Sequence, residues 1–276
     1  MTIRTALCLW LVVIHSVYGQ SDSTNQKIYQ VTKKYELTGS ILFIGVSSVG
    51  FKKLDHLASF TAEDVKALDI NKINAFDRPV ALYNPAGFER AQARSDLFLN
   101  VAILSPVLLM ADKRIRKDWL DLLTLYAVTH AVDNIIYFAS AYSIRRARPL
   151  TYNPGLPLES KIGEAKTNSF YSGHVSFSST STYFLAKVFT DYHGIKGWKR
   201  ILTYSVASVP PALVAWNRME AGKHFRTDVM TGFAVGAACG ILIPEWHKRR
   251  KNMEKVTLDP YFTPTGQSGL TLGVKL

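Results

Sequence analysis

Hydrophobic residues in this chain come in long runs, not in the strict alternation of half-buried strands. Five runs, residues 91–111, 119–142, 175–189, 201–216 and 229–244, exceed ordinary strand length and predict helices. Several come close to the roughly 20 apolar residues that cross a bilayer, and most fall below it. Polar residues interrupt 119–142 at Asp121, His130, Asp133 and Asn134; in lipid such groups have to face the interior of a bundle. An earlier uncharged run, 37–51, contains glycine and serine, fits helix or strand, and stops at Lys52 and Lys53. The pattern predicts an all-α fold: a bundle of about five to six core helices with an irregular N-terminal region and a short C-terminal tail.

Punctuation divides the chain further. Residues 1–19 carry Arg4, an apolar run and Gly19, the layout of a secretory signal cleaved after Gly19, with an uncleaved anchor as the alternative. Residues 20–90 form an N-terminal extension and connector, 91–247 the helical domain, and 248–276 a basic segment and tail. Thr61-x-x-Asp64 resembles a capping box that opens a short helix. Pro260, Pro264, Gly266 and Gly269 mark turns, and 270–276 is expected as a strand or extended tail. With Cys8 in the signal and Cys239 in an apolar helix, the mature chain has no partner for a disulfide and no cysteine metal site.

Charge adds direction. The formal net charge is +12, which suits nucleic acid, anionic lipid or a phosphate-bearing substrate. No zinc-finger spacing or aromatic RNA-binding signature accompanies it, so nucleic acid is set aside. Alternating the five helices gathers Lys113, Arg114, Arg116 and Lys117, then Lys196, Lys199 and Arg200, then Lys248, Arg249, Arg250 and Lys251 at one end. By the positive-inside rule that end faces the cytoplasm. In this scheme 37–51 is expected not to span, since a crossing there reverses the orientation.

Three polar islands fall together at the other end: Arg146-Ala147-Arg148-Pro149, Ser172-Gly173-His174 and Arg218-x5-His224-x3-Asp228. Guanidinium forks bond two oxygens of an oxyanion at once. A helix start offers unpaired N–H groups, and glycine there admits an anion closely. The islands make up the parts of an oxyanion site with a nucleophile and an acid.

These residues carry a resemblance. The chain resembles the type 2 phosphatidic acid phosphatase family, whose fold is similar to that of vanadium haloperoxidases and bacterial class A acid phosphatases. That family reads Lys-x6-Arg-Pro, Pro-Ser-Gly-His and Ser-Arg-x5-His-x3-Asp. Here the corresponding stretches run Ala141-x6-Arg148-Pro149, Tyr171-Ser172-Gly173-His174 and Asn217-Arg218-x5-His224-x3-Asp228, so lysine, proline and serine are replaced at Ala141, Tyr171 and Asn217. The resemblance implies that Arg148, Arg218, Ser172 and Gly173 bind phosphate, that His224 is the nucleophile with Asp228 holding its other ring nitrogen, and that His174 donates a proton to the leaving oxygen. For the missing lysine, Arg146 is the preferred substitute, with Arg145 and Lys223 as alternatives. It implies no cofactor and no metal. The expected activity is metal-independent hydrolysis of a lipid phosphate or polyprenyl diphosphate through a phosphohistidine, at the periplasmic face of a bacterial inner membrane. The alternatives are a soluble periplasmic acid phosphatase acting on small monoesters, and a non-catalytic envelope protein that keeps the fold. Vanadate-dependent halide oxidation ranks below them.

Overall fold

A computed structural model describes residues 27–253, 256–262 and 268–274; the expected signal or anchor at 1–19 lies outside them. Seven helices of more than ten residues build the described chain: α1 (Lys33–Leu57), α2 (Phe88–Leu104), α3 (Trp119–Ser143), α4 (Gly173–Tyr192), α5 (Gly197–Ala207), α6 (Val209–Glu220) and α7 (Arg226–Met253). The all-α expectation holds for the bundle. After α7 come two antiparallel strands, β1 (Val256–Phe262) and β2 (Ser268–Val274), with Leu258 opposite Leu272. The capping box at Thr61 and Asp64 is present and opens the short helix Ala62–Lys66.

Proline accounts for two departures from the expected helices. Run 201–216 is two helices, because Pro210 and Pro211 fall in the first turn of α6, where an absent N–H breaks no intrahelical bond. Run 91–111 changes after Leu104 into a 3-10 segment, Ser105–Ala111, with Pro106 in its first turn.

Cross-bundle contacts give the direction of each pass. Lys33 at the start of α1 bonds Asp121 at the start of α3 (2.8 Å), and Phe51 near the end of α1 packs on Phe138 near the end of α3 (4.7 Å between centroids). The two helices are therefore parallel. α2 runs the opposite way, since the Tyr126 hydroxyl, early in α3, donates to the carbonyl of Ile103 at the end of α2 (2.8 Å). α4 descends, α5 and α6 together ascend, and α7 descends until Lys248 meets Asp191 (3.0 Å). The expectation that 37–51 does not span is thus corrected. α1 rises before α2 falls, and residues 58–87 stay at one end, so nothing has to recross.

What sets the bundle's interior is the seam between α4 and α7. A Cβ added at Gly232, Gly236 or Gly240 would lie 2.6 Å or closer to the backbone oxygens of Ser172, Ser176 and Thr180 respectively. Only glycine permits that approach, the small-residue packing typical of helices in lipid. Hydroxyls close the seam: Ser179 donates to the carbonyl of Phe233 (3.0 Å) and Thr180 to that of Gly236 (3.2 Å). From α3, the fully buried Asp133 accepts from Ser176 (2.6 Å) and Thr180 (2.7 Å). The polar interruptions of run 119–142 turn inward as expected: Asp121, Asp133 and Asn134 are buried, and His130 bonds Ser181 (3.0 Å).

Outward, the bundle is apolar. Leu42, Leu97, Val101, Ile201 and Leu242 are each more than half exposed, a belt that only lipid covers favourably. Lys33–Leu57, Pro85–Ala111, Trp119–Ser143 and Arg226–Lys248 are long and apolar enough to cross a membrane; α4, enclosed by other helices, and α5 and α6 are not among them. The chain is a membrane protein. The seam predicts that Gly236→Ala lowers stability by about 1–3 kcal/mol through overpacking, whereas Gly39→Ala, with open space around it, leaves stability unchanged or raised. Thermal unfolding in detergent compares the two, and equal midpoints would remove the seam from this account.

Candidate active site

The turn between α6 and α7 carries the third island. Gly222 takes φ +63 there, a left-handed conformation that disfavours a side chain, and a Cβ would also strike the Phe88 ring at 2.7 Å. Two residues on, His224 is buried, and its Nδ1 lies 2.7 Å from the carbonyl of Ser169. A carbonyl only accepts, so Nδ1 carries the hydrogen and the lone pair of the neutral ring is on Nε2. Nε2 faces Arg218 Nη2 at 3.3 Å. Burial, then Arg218 and Arg148, hold the His224 pKa well below its ordinary value, so the ring is neutral at physiological pH.

Arg218, on the last turn of α6, donates through Nη1 to Gln92 Oε1 (2.8 Å). Its Nε is buried with no hydrogen-bond partner among the described residues, and so is the hydroxyl of Ser172 at the head of α4. An unmade bond at a buried polar group costs about 1–3 kcal/mol, a cost that an anion bonded to both would remove. Arg148 donates through Nε to Asn168 (3.0 Å), which in turn donates to Asp55 (3.0 Å). Burial and Arg148 push Arg218 down to about 9, so it remains a cation at neutral pH.

His174, at the open end of α4, pairs through Nε2 with Asp96 Oδ1 (3.2 Å) and keeps about a third of its side chain exposed (34%). Enclosure by the surrounding walls, then Arg218, lower its pKa to about 4, against the opposing pull of Asp96. A bound phosphate dianion adds negative charge and raises it again. Gly173 is buried, and the Tyr137 ring fills the space a side chain would need (2.9 Å).

The PAP2 superfamily model matches residues 122–252, which takes in all three islands. These residues are a PAP2-superfamily domain. Among solved structures, the chain is similar to the transmembrane PAP2-type phosphatidylglycerolphosphate phosphatase of Bacillus subtilis, with 17% identity and TM-score 0.41 over 78% of this chain and 97% of that one. It is also similar to LpxE of Aquifex aeolicus, with 17% identity and TM-score 0.41 over 61% of this chain and 92% of that one. No curated protein matches. With this domain, the chain is a phosphoric ester hydrolase.

Two expectations about this PAP2 site change. Asp228 does not hold the His224 ring. It accepts from Ser169 Oγ (2.6 Å), the Phe225 N–H (2.8 Å) and Arg146, and so fixes the segment whose carbonyl holds the ring. Arg146 is not a phosphate ligand either. Its guanidinium is clamped by Asp228, Asp77 (2.7 Å) and Thr227 (2.7 Å) and lies over the Phe225 ring (4.3 Å). Asp77 has a lowered pKa: burial alone would raise it, and hydrogen bonds from Asn74, Thr227 and Arg146 outweigh that.

Gln92, Asp96, Ser169, Asn168 and Asp77 belong to no island, and no spacing in the sequence marks them. Asp96 stands beside Gln92, Arg94 and Ser95 in the polar opening of its run, so its surroundings do not single it out. With Asp77 and Asp228 both fully buried, Arg146→Met strands two carboxylates and should cost on the order of 3–5 kcal/mol of stability. Chemical unfolding measures it; a variant as stable as wild type, altered only in phosphate affinity, would return Arg146 to the phosphate site.

Proposed function

We propose that this protein hydrolyses a lipid phosphate or diphosphate by way of a phosphohistidine at His224, without a metal. The observation that carries the reading is the buried, unpartnered Nε of Arg218, whose Nη2 faces the neutral His224, with the Ser172 hydroxyl at the head of α4 likewise unpartnered. Donors of this kind suit a phosphoryl group, whose transfer needs positioning and charge neutralisation more than covalent help.

Nε2 of His224 attacks phosphorus while the ester P–O bond breaks. The Ser169 carbonyl, accepting from Nδ1, favours the imidazolium that forms. The departing alcohol oxygen takes its proton from His174, protonated once the dianion is bound. Water then attacks phosphorus, gives its proton to His174, and inorganic phosphate leaves with His224 restored. Arg148 and Arg218 supply positive charge of the kind a metal ion would bring.

The lipid class rests on the apolar belt directly below the site, which lets acyl or prenyl chains stay in the bilayer while the head group reaches the arginines. That belt also weighs against a soluble enzyme for small monoesters. The basic residues at the far end favour a site on the periplasmic side of the inner membrane.

The test is phosphate release in detergent with excess EDTA, from phosphatidic acid, phosphatidylglycerophosphate, undecaprenyl diphosphate and a soluble monoester. Release from a lipid is expected in chelator and is inhibited by vanadate. Arg218→Ala loses about 10²–10³-fold, and His224→Ala and His174→Ala fall to near background while keeping the wild-type unfolding transition. Turnover that survives all three substitutions would mean the chemistry lies elsewhere, and no turnover of any substrate by wild type would favour a binding or structural protein.

A further inference from the structure

Two arginines alone leave the charge of a phosphate dianion poorly matched at its outer side, and the neighbouring cations differ in how far they are already engaged. Arg146 is held by two carboxylates. Arg145 is exposed, and Ala141 is buried in an apolar cluster with Leu54, Tyr137 and Tyr171. Lys166 donates to the carbonyl of Ser160 (2.8 Å). Lys223 has no hydrogen bond or ion pair from its side chain among the described residues.

Its backbone is held by the bond from the Lys223 N–H to the carbonyl of Arg218 (3.1 Å). It follows the Gly222 turn, directly precedes His224 in the chain and is half-buried. Resting on the reading above, we propose that Lys223 touches the bound phosphate as the third cation of the site, beside Arg148 and Arg218.

The electrostatics agree. Burial, then Arg148, Arg218 and Lys166, push the Lys223 ammonium down to about 8, and Asp96 is the acidic group that pulls the other way. The charged groups acting on it are therefore Arg148 and Lys166 from the segments after α3, Arg218 from α6 and Asp96 from α2. Unpaired cations held this close lack compensation until an anion arrives.

Lys223→Met should lower kcat/KM about 10- to 100-fold, as expected for a lost charge-assisted hydrogen bond, and weaken vanadate inhibition by a similar factor. Lys223→Arg restores most of both. The wild-type kcat/KM falls as pH rises through about 8, where Lys223 loses its proton; in Lys223→Arg that alkaline limb moves upward. His224→Ala, assayed in parallel, separates two failures. An inactive His224→Ala with an unaffected Lys223→Met overturns the Lys223 assignment alone, whereas an active His224→Ala overturns the reaction itself. A Lys223→Met loss that Lys223→Arg does not restore, or an unmoved alkaline limb, also overturns the assignment.

Discussion

The close approach of α4 and α7 is the contact on which the rest of the structure depends. Three glycines spaced one helical turn apart on α7 rest against backbone oxygens of α4, and that brings the ends of the two helices together. Ser172, which heads α4, donates its N–H to the carbonyl of Asp228 on the first turn of α7 (3.1 Å). The second and third islands are neighbours for this reason. In lipid no hydrophobic force drives one apolar helix onto another, so fit and hydroxyl bonding have to hold the seam, and serine and threonine of α4 supply both.

Charge at the site is divided between pinned and unpinned groups. Arg146 spends its guanidinium on Asp77, Asp228 and Thr227, joining the 58–87 segment to the start of α7. Asp228 in turn holds Ser169, and Ser169 sets the tautomer of His224. The carboxylate expected beside the His224 ring thus acts one bond further away. Arg218 and Ser172, by contrast, keep buried polar atoms unsatisfied. A rigid, fully bonded frame around a few unsatisfied donors is preorganisation for an anion: the cost of orienting them is met in folding.

The same bundle serves the membrane. Its outer surface is apolar and its interior carries Asp133, Ser176 and Thr180 bonded to one another, the reverse of a water-soluble protein's distribution. The three polar islands are confined to one end because each sits where a helix starts or stops.

Helix existence, the polar face of α3 and the grouping of the islands at one end were legible in the sequence, because run length and alternation are local properties. His224, His174, Arg148 and Arg218 were picked out because their spacing is that of a family pattern. What tertiary structure alone decided was pairing. Whether Asp228 reaches His224 or Ser169, and whether Arg146 meets phosphate or Asp77, depends on a few ångströms between segments far apart in sequence (59 residues for Ser169 and Asp228, 69 for Asp77 and Arg146), and no local rule encodes that distance. The glycines of α7 stood in plain view as Gly-x3-Gly-x3-Gly, but the surface they press against becomes visible only when α4 is in place.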